Sequence, residues 1–289
     1  MSKLIISGGT LITANSKLLG IRSYLSEELQ VDQIPQAGFS LRRINKSYTG
    51  PIIEVTDGSS HTDIYTNKET ISKEYLLSLV DSSGDLYVTK WYDQFNAGYR
   101  MGFEHVDYTD LPRLINGNNF YHTNSNPRSF GLNFNRFISN KAKYELPTSL
   151  SGSNRYKIYV VISNWTGETG LLQLGDLPYD PSYILATEGR IKFMEDGDIG
   201  NFSPVNNHAI FNLGMGKGAI EQFDVYQDGI HSLIRIEFNE IFSFTVSPFI
   251  SEIPFSGCIQ ELIINREDTI VAGSSNNVFK NQDNYFFKE

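Results

Sequence analysis

The sequence predicts an all-β sandwich with one short helix, and three observations carry that expectation. From Phe39 onward, short apolar and β-branched runs recur between turns rich in Gly, Asn, Asp and Ser. More than ten such runs stand against a single convincing helical pattern, which favours a sandwich or jelly roll over an α/β fold. The aromatic content, 16 Tyr and 19 Phe, suits half-buried strands rather than helices. At 289 residues, one large β domain accommodates the chain.

Residues 1–37 differ in pattern from the rest of the chain. Runs at 3–6 and 10–13 flank Ser7-Gly8-Gly9 as a hairpin, and 21–31 reads as a short helix or an irregular arm ending before Pro35. Two readings stand: an attachment or assembly segment ahead of a domain at 38–289, or an extra pair of strands on that domain. Strands at 39–42 and 52–55 flank the Tyr48-Thr49-Gly50-Pro51 turn. The helix is expected over 72–80, with Ser72 as its cap, Glu74 in its first turn, and Leu76, Leu77, Leu79 and Val80 as its buried side. The turn Ser82-Ser83-Gly84-Asp85 then leads into a strand at 86–92. Further strands are expected at 113–115, 130–134, 156–163, 170–174, 183–186, 190–194, 209–213, 222–226, 230–238, 241–246 and 258–264. Asp228-Gly229 is a strong two-residue hairpin turn, and Glu188-Gly189 and Asn239-Glu240 are turns of the same kind.

Two islands stand out, GFSLRR…SYTGP (38–51) and YVTKWYDQ (87–94). Near the end, FSGCIQELIIN (255–265) places an aromatic and a small residue ahead of an apolar strand carrying one Glu. In the middle, LLQLGD precedes YILATEGRIKF. Over roughly residues 38–270 this arrangement resembles the catalytic module of arabinofuranosidase B and the related laminin-G-like, concanavalin A-like jelly rolls. The resemblance implies a jelly-roll sandwich with an N-terminal attachment segment.

It also sets a chemical test. Arabinofuranosidases of this family are retaining enzymes, and such chemistry needs two carboxylates about 5 Å apart. The resemblance implies a Glu nucleophile in a middle strand, an Asp acid/base in a GGDN-like segment before the last core strand, and an adjacent Cys-Cys disulfide shaping the sugar pocket. Here the segment before FSGCIQE is FTVSPFISEIP, which has no Asp, and Cys258 is the single cysteine. Glu188 falls in the nucleophile's region but sits in a Thr-Glu-Gly turn, where a solvated side chain is the plain reading. The sequence therefore predicts a non-enzymatic protein with no catalytic residues.

Other chemistries find little support. A net charge of −9 with no Lys/Arg cluster disfavours nucleic acid. One Cys and five scattered His give no zinc spacing, and Cys258 reads as a small buried hydrophobe. Asp176, Asp180, Glu195, Asp196 and Asp198 form an acidic group open to a Ca²⁺ reading, but a solvated edge is favoured, so neither metal nor cofactor is expected. GMGKG (214–218) lacks the Lys-Ser/Thr ending of a phosphate loop. No stretch approaches the ~20 apolar residues that span a bilayer, and no signal-peptide core is visible.

Within the islands, Trp91 and Tyr92 alternate in a strand, so one ring faces the core and the other faces out. Arg42 or Arg43 is placed to pair with Asp93 beneath a loop. Trp91, Tyr92 and Trp165 are the candidate glycan-stacking residues, with core packing as the competing role. Domains with similar islands look very similar to parts of tailed-phage structural proteins. The resemblance thus implies a virion protein, made in a host cytoplasm, that displays a lectin-like domain on the head or tail. Its partners would be other virion proteins through residues 1–37, further copies of itself in a homo-oligomer, and a host-surface glycan. The alternatives are a glycoside hydrolase of the arabinofuranosidase type and a bacterial surface carbohydrate-binding module.

Overall fold

The computed structural model describes residues 24–28, 35, 37–66, 70–103, 107–121, 131–134, 142–143, 155–163, 169–174, 182–187, 190–195, 198–202, 220–227, 231–238, 257–267 and 276–287. Among these the chain is mostly antiparallel β-sheet with few short helices. The expected strands at 209–213 and 241–246, Trp165 and residues 1–23 lie outside the described residues.

The first half builds one end of the larger sheet. It comprises β1 (Ala37–Ser40), β2 (Ile53–Thr56), β3 (His61–Ile64), β4 (Leu86–Tyr92), β5 (Arg100–Phe103), β6 (Arg113–Asn116), β7 (Asn119–Phe120), β8 (Leu132–Asn133) and β9 (Ala142–Lys143). The second half supplies β10 (Arg155–Ser163), β15 (Ile220–Gln227), β16 (His231–Phe238) and β17 (Cys258–Glu267). The main path runs β15-β16-β10-β17-β8-β6-β4-β2-β3, with β1 pairing on β17. Four strands, β11 (Thr169–Leu174), β12 (Ser182–Thr187), β13 (Arg190–Glu195) and β14 (Asp198–Phe202), form a separate antiparallel meander. Thr187 pairs with Arg190 across Glu188-Gly189, the two-residue hairpin the sequence marks.

The cap of helix α2 (Lys73–Leu77) behaves as expected. The Ser72 hydroxyl accepts the Tyr75 N–H, which satisfies one of the helix's orphan donors. Its buried side is narrower than the sequence pattern implies, because the helix is one turn long: Leu76 is buried while Leu77 faces solvent. The expectation of a single helix is also corrected. A short α1 (Leu25–Glu28) and a C-terminal α3 (Asn276–Gln282), continued by a π-helical turn (Asp283–Phe287), are present as well. Both pack on the sheet. Leu25 and Val278 join Ile44, Tyr159 and Ile263 in one buried cluster. The Ser26 N–H donates to the Ile44 carbonyl, and Lys46 pairs with Glu27. Part of the segment expected to be an attachment arm therefore contributes to the core.

Trp91 is the largest fully buried side chain among the described residues, and its ring lies 5.8 Å from that of Phe39 in a tilted contact. This packing joins the first island's strand to the second's. Gly38 is required there by close approach, since a Cβ would stand 2.7 Å from the Phe95 ring.

Candidate functional site

The two islands meet in space and divide into a buried half and an outward half. In the buried half, Arg42 takes Glu261 as a partner, one that the sequence does not suggest. Its Nε lies 2.8 Å from Glu261 Oε2 and its Nη2 lies 3.0 Å from Oε1, a bidentate pair with both side chains almost wholly buried. Ser40 Oγ donates to Glu261 Oε2 at 2.7 Å, and Arg42 Nη2 donates to Asn281 Oδ1 at 2.6 Å. The Tyr285 ring covers the guanidinium 4.1 Å from its centroid.

Asp93 serves the backbone. Its Oδ1 accepts the Gly38 and Phe95 N–H groups at 3.0 and 2.9 Å, and its Oδ2 accepts from Asn96 at 2.9 Å. The turn after β4 points these donors at the carboxylate. Gln94 continues the stitching, accepting from the Ile44 N–H and donating to the Ser40 and Arg42 carbonyls. Arg43 donates to Thr66 Oγ1 at 3.1 Å. These groups satisfy one another and leave no reacting atom open, so the buried half holds strands together.

The outward half lies on the solvent face of β3, β2, β4 and β5. Glu54 pairs in register with Asp63 on one side and Lys90 on the other, and Tyr92 pairs with Arg100. A bulge in the β2–β4 pairing leaves Thr89 as the extra residue and brings its hydroxyl onto Glu54 beside Lys90. Glu54 therefore receives Thr89 Oγ1 at 2.6 Å and Lys90 Nζ at 2.6 Å, with His61 Nδ1 at 3.3 Å. Burial pushes its pKa upward. The hydrogen bonds from Lys90 and Thr89 and the charges of Lys90 and His61 outweigh burial and hold the carboxyl below its usual range.

Tyr92 donates its hydroxyl to Asp63 Oδ1 at 2.8 Å. Burial, then this bond, raises the phenol's pKa, so the proton stays on oxygen. Two further tyrosines flank Asp63. The Tyr48 phenol, folded back to donate to the Pro51 carbonyl, is pushed up to about 12 by burial and by the charges of Asp93, Tyr65 and Asp63. Tyr65 is 55% exposed and presents its ring to solvent. The Asp63 carboxylate is exposed, and its second oxygen accepts from none of the described residues. Arg100 is exposed at the far edge. The face thus offers a carboxylate acceptor, guanidinium donors and an open aromatic ring, the groups that hold sugar hydroxyls and the apolar side of a sugar ring.

Of the three predicted glycan residues, Trp91 is fully buried, and its Nε1 meets no partner among the described residues. Tyr92 is half-buried and faces outward, and Trp165 lies outside the described residues. Asp63 and Tyr65 carried no readable signal, because His61–Ile64 offers one apolar residue and does not look like a strand. Cys258 is buried, as a small hydrophobe would be. No group of three or more His, Cys, Asp or Glu among the described residues is placed to hold a metal, and no described helix is long and apolar enough to cross a membrane.

No protein-family model matches the chain, and no curated protein matches it. Solved structures do. One is an arabinofuranosidase in complex with arabinofuranosyl-α-1,2-xylobiose, 13% identical, with a TM-score of 0.50 over 88% of this chain. A second is a GH54 α-L-arabinofuranosidase soaked with a cyclic sulfate inhibitor, 11% identical, with a TM-score of 0.47 over 88% of this chain. The chain spans 63% of the length of each. The expectation of a non-enzymatic protein is corrected by the first of these, since that structural neighbour is an arabinofuranosidase.

Proposed function

We propose that this chain is a carbohydrate-active domain of the arabinofuranosidase type, cleaving arabinose from a decorated polysaccharide. The observation that carries the reading is the fold likeness, at a TM-score of 0.50 over 88% of the chain, to an arabinofuranosidase bound to an arabinosyl-xylobiose. In this reading the sheets form a concanavalin-type sandwich, and the Tyr92–Asp63 face is a sugar-recognition surface. Glu54 is an unsuitable acid/base because Lys90, Thr89 and His61 already occupy it and keep it ionised. The face therefore orients sugar, and the reacting carboxylates lie elsewhere, with Glu188 the position to replace first.

The test is turnover of 4-nitrophenyl arabinofuranoside by the purified chain. Release of nitrophenol, lost in Glu188→Gln or in another carboxylate variant, is the expected result. Retention of polysaccharide with no turnover of any arabinoside would leave recognition without hydrolysis. It would favour the second reading, a glycan-binding domain on a phage particle that docks through residues 1–37. The virion reading rests on the sequence resemblance of the islands and is checked by mass spectrometry of purified particles.

A further inference from the structure

The hairpin that joins β6 to β7 carries the single Asn-Gly pair of the sequence, Asn116-Gly117. Such a pair is well disposed to attack itself: the Gly amide nitrogen, with no side chain to shield it, adds to the Asn side-chain carbonyl carbon. The N–Cγ bond forms, the Cγ–Nδ2 bond breaks, and the amide proton leaves with the side-chain nitrogen as ammonia. Water then opens the cyclic imide, giving aspartate if the new bond is cut and isoaspartate if the main-chain bond is cut. Ring closure asks two things of the backbone. The Gly117 nitrogen must surrender its proton, and the Asn116 Cα–C bond must turn until Cβ stands beside that nitrogen.

Both movements are held in the folded chain. Gly117 and Asn118 take φ of 53° and 65°, the two left-handed residues that a tight hairpin turn requires, and Asn116 pairs with Asn119 in extended backbone. Extended backbone keeps Cβ away from the following nitrogen. The Gly117 N–H donates to Asp85 Oδ1 at 2.8 Å, and the Asn118 N–H donates to the Gly84 carbonyl at 2.7 Å. These bonds staple the hairpin to the turn that opens β4. The side chain is held as well: Arg113 Nη1 donates to Asn116 Oδ1 at 2.7 Å and lies 3.4 Å from Asp85 Oδ2. Tyr87 ties the same pair together, donating to Asp85 Oδ2 at 3.2 Å and accepting from Arg113 Nη2 at 3.3 Å. The Arg113 and Asp85 side chains are 10% and 13% exposed, so their charge-assisted bonds are little screened. Asn116 itself is exposed to the water that the reaction needs.

We propose that Asn116-Gly117 is a latent site of backbone modification, an imide-forming pair that the Asp85–Arg113 network holds shut and that reacts when the hairpin opens locally. An isoaspartate there adds a carbon to the main chain, which a two-residue turn cannot take up without losing the β6–β7 register. The experiment incubates the full chain and a synthetic peptide of residues 111–120 at mildly alkaline pH. Peptide mapping by mass spectrometry then follows loss of ammonia and gain of water at Asn116. The folded chain should convert at least about tenfold more slowly than the peptide, the equivalent of one charge-assisted hydrogen bond. Asp85→Ala should accelerate conversion of the chain by about that factor, and Asp85→Asn, which keeps an acceptor oxygen, should accelerate it less. The parent chain gives a second readout that needs no variant: in urea well below the unfolding midpoint, conversion and hydrogen exchange of the Gly117 amide should accelerate together. Four results would overturn the proposal: a peptide that stays intact, a parent chain that converts as fast as the peptide, a folded Asp85→Ala chain that converts no faster than the parent, or conversion that holds constant while Gly117 exchange accelerates.

Discussion

Arg42 and Glu261 show how one buried contact orders a β fold whose partners are distant in sequence. They stand 219 positions apart, and the pair is sealed by Tyr285. Arg42→Met would strand a carboxylate that is 0% exposed, and an unpaired buried charge of this kind costs about 3–5 kcal/mol. The urea midpoint should fall accordingly, and Arg42→Met combined with Glu261→Leu should recover most of the loss. A single variant as stable as the parent would show that the pair is dispensable. Glu54 supplies a pH prediction at the same scale. Its pKa in the folded chain lies below the usual 4.5, so its stabilising contribution is complete above that value and is lost as pH falls through and below it. Thermal denaturation from pH 6 to pH 3 (roughly the carboxylate range) should show a shallower decline for Glu54→Gln. Parallel curves would mean that the Lys90 and Thr89 contacts contribute nothing.

At the scale of elements, the period of two in a strand made Trp91 and Tyr92 legible: one ring lies in the core and the other on the outer face. The Ser72 cap was equally readable, because its partner is three residues away. The partner of Arg42 was not, since nothing local distinguishes Glu261 from any other acidic residue of the chain. The short edge strand β3 was hidden by its polar outward positions, His61 and Asp63, and with it went half of the outward face. Helix α3 is illegible in the sequence because its Asn-rich run has low helical propensity, so burial of Val278 and of Tyr285 and Phe286 in the adjoining turn, not intrinsic preference, holds it in place. Gln282 is the weak point of this element. It is 0% exposed, and both its amide nitrogen and oxygen lack partners among the described residues. Gln282→Leu, of similar size, should raise stability by about 1–3 kcal/mol and slow hydrogen exchange across α3. A loss of stability would mean that the amide has a bound partner.

For the molecule as a whole, the all-β class was legible from turn spacing and aromatic content. The likeness to an arabinofuranosidase fold agrees with the resemblance carried by the islands. The step from scaffold to chemistry was not legible. The missing GGDN-like segment and disulfide point, on sequence alone, to a loss of catalysis, while the fold likeness is to an arabinofuranosidase. The central claim is that the chain engages arabinose-bearing polysaccharide, with Asp63, Tyr65 and Tyr92 orienting it. Affinity electrophoresis in gels cast with arabinoxylan tests it most directly. The parent chain should be retarded, and Asp63→Asn with Tyr65→Ala should migrate as in a polysaccharide-free gel while remaining folded. Equal migration of parent and variant in both gels would contradict it.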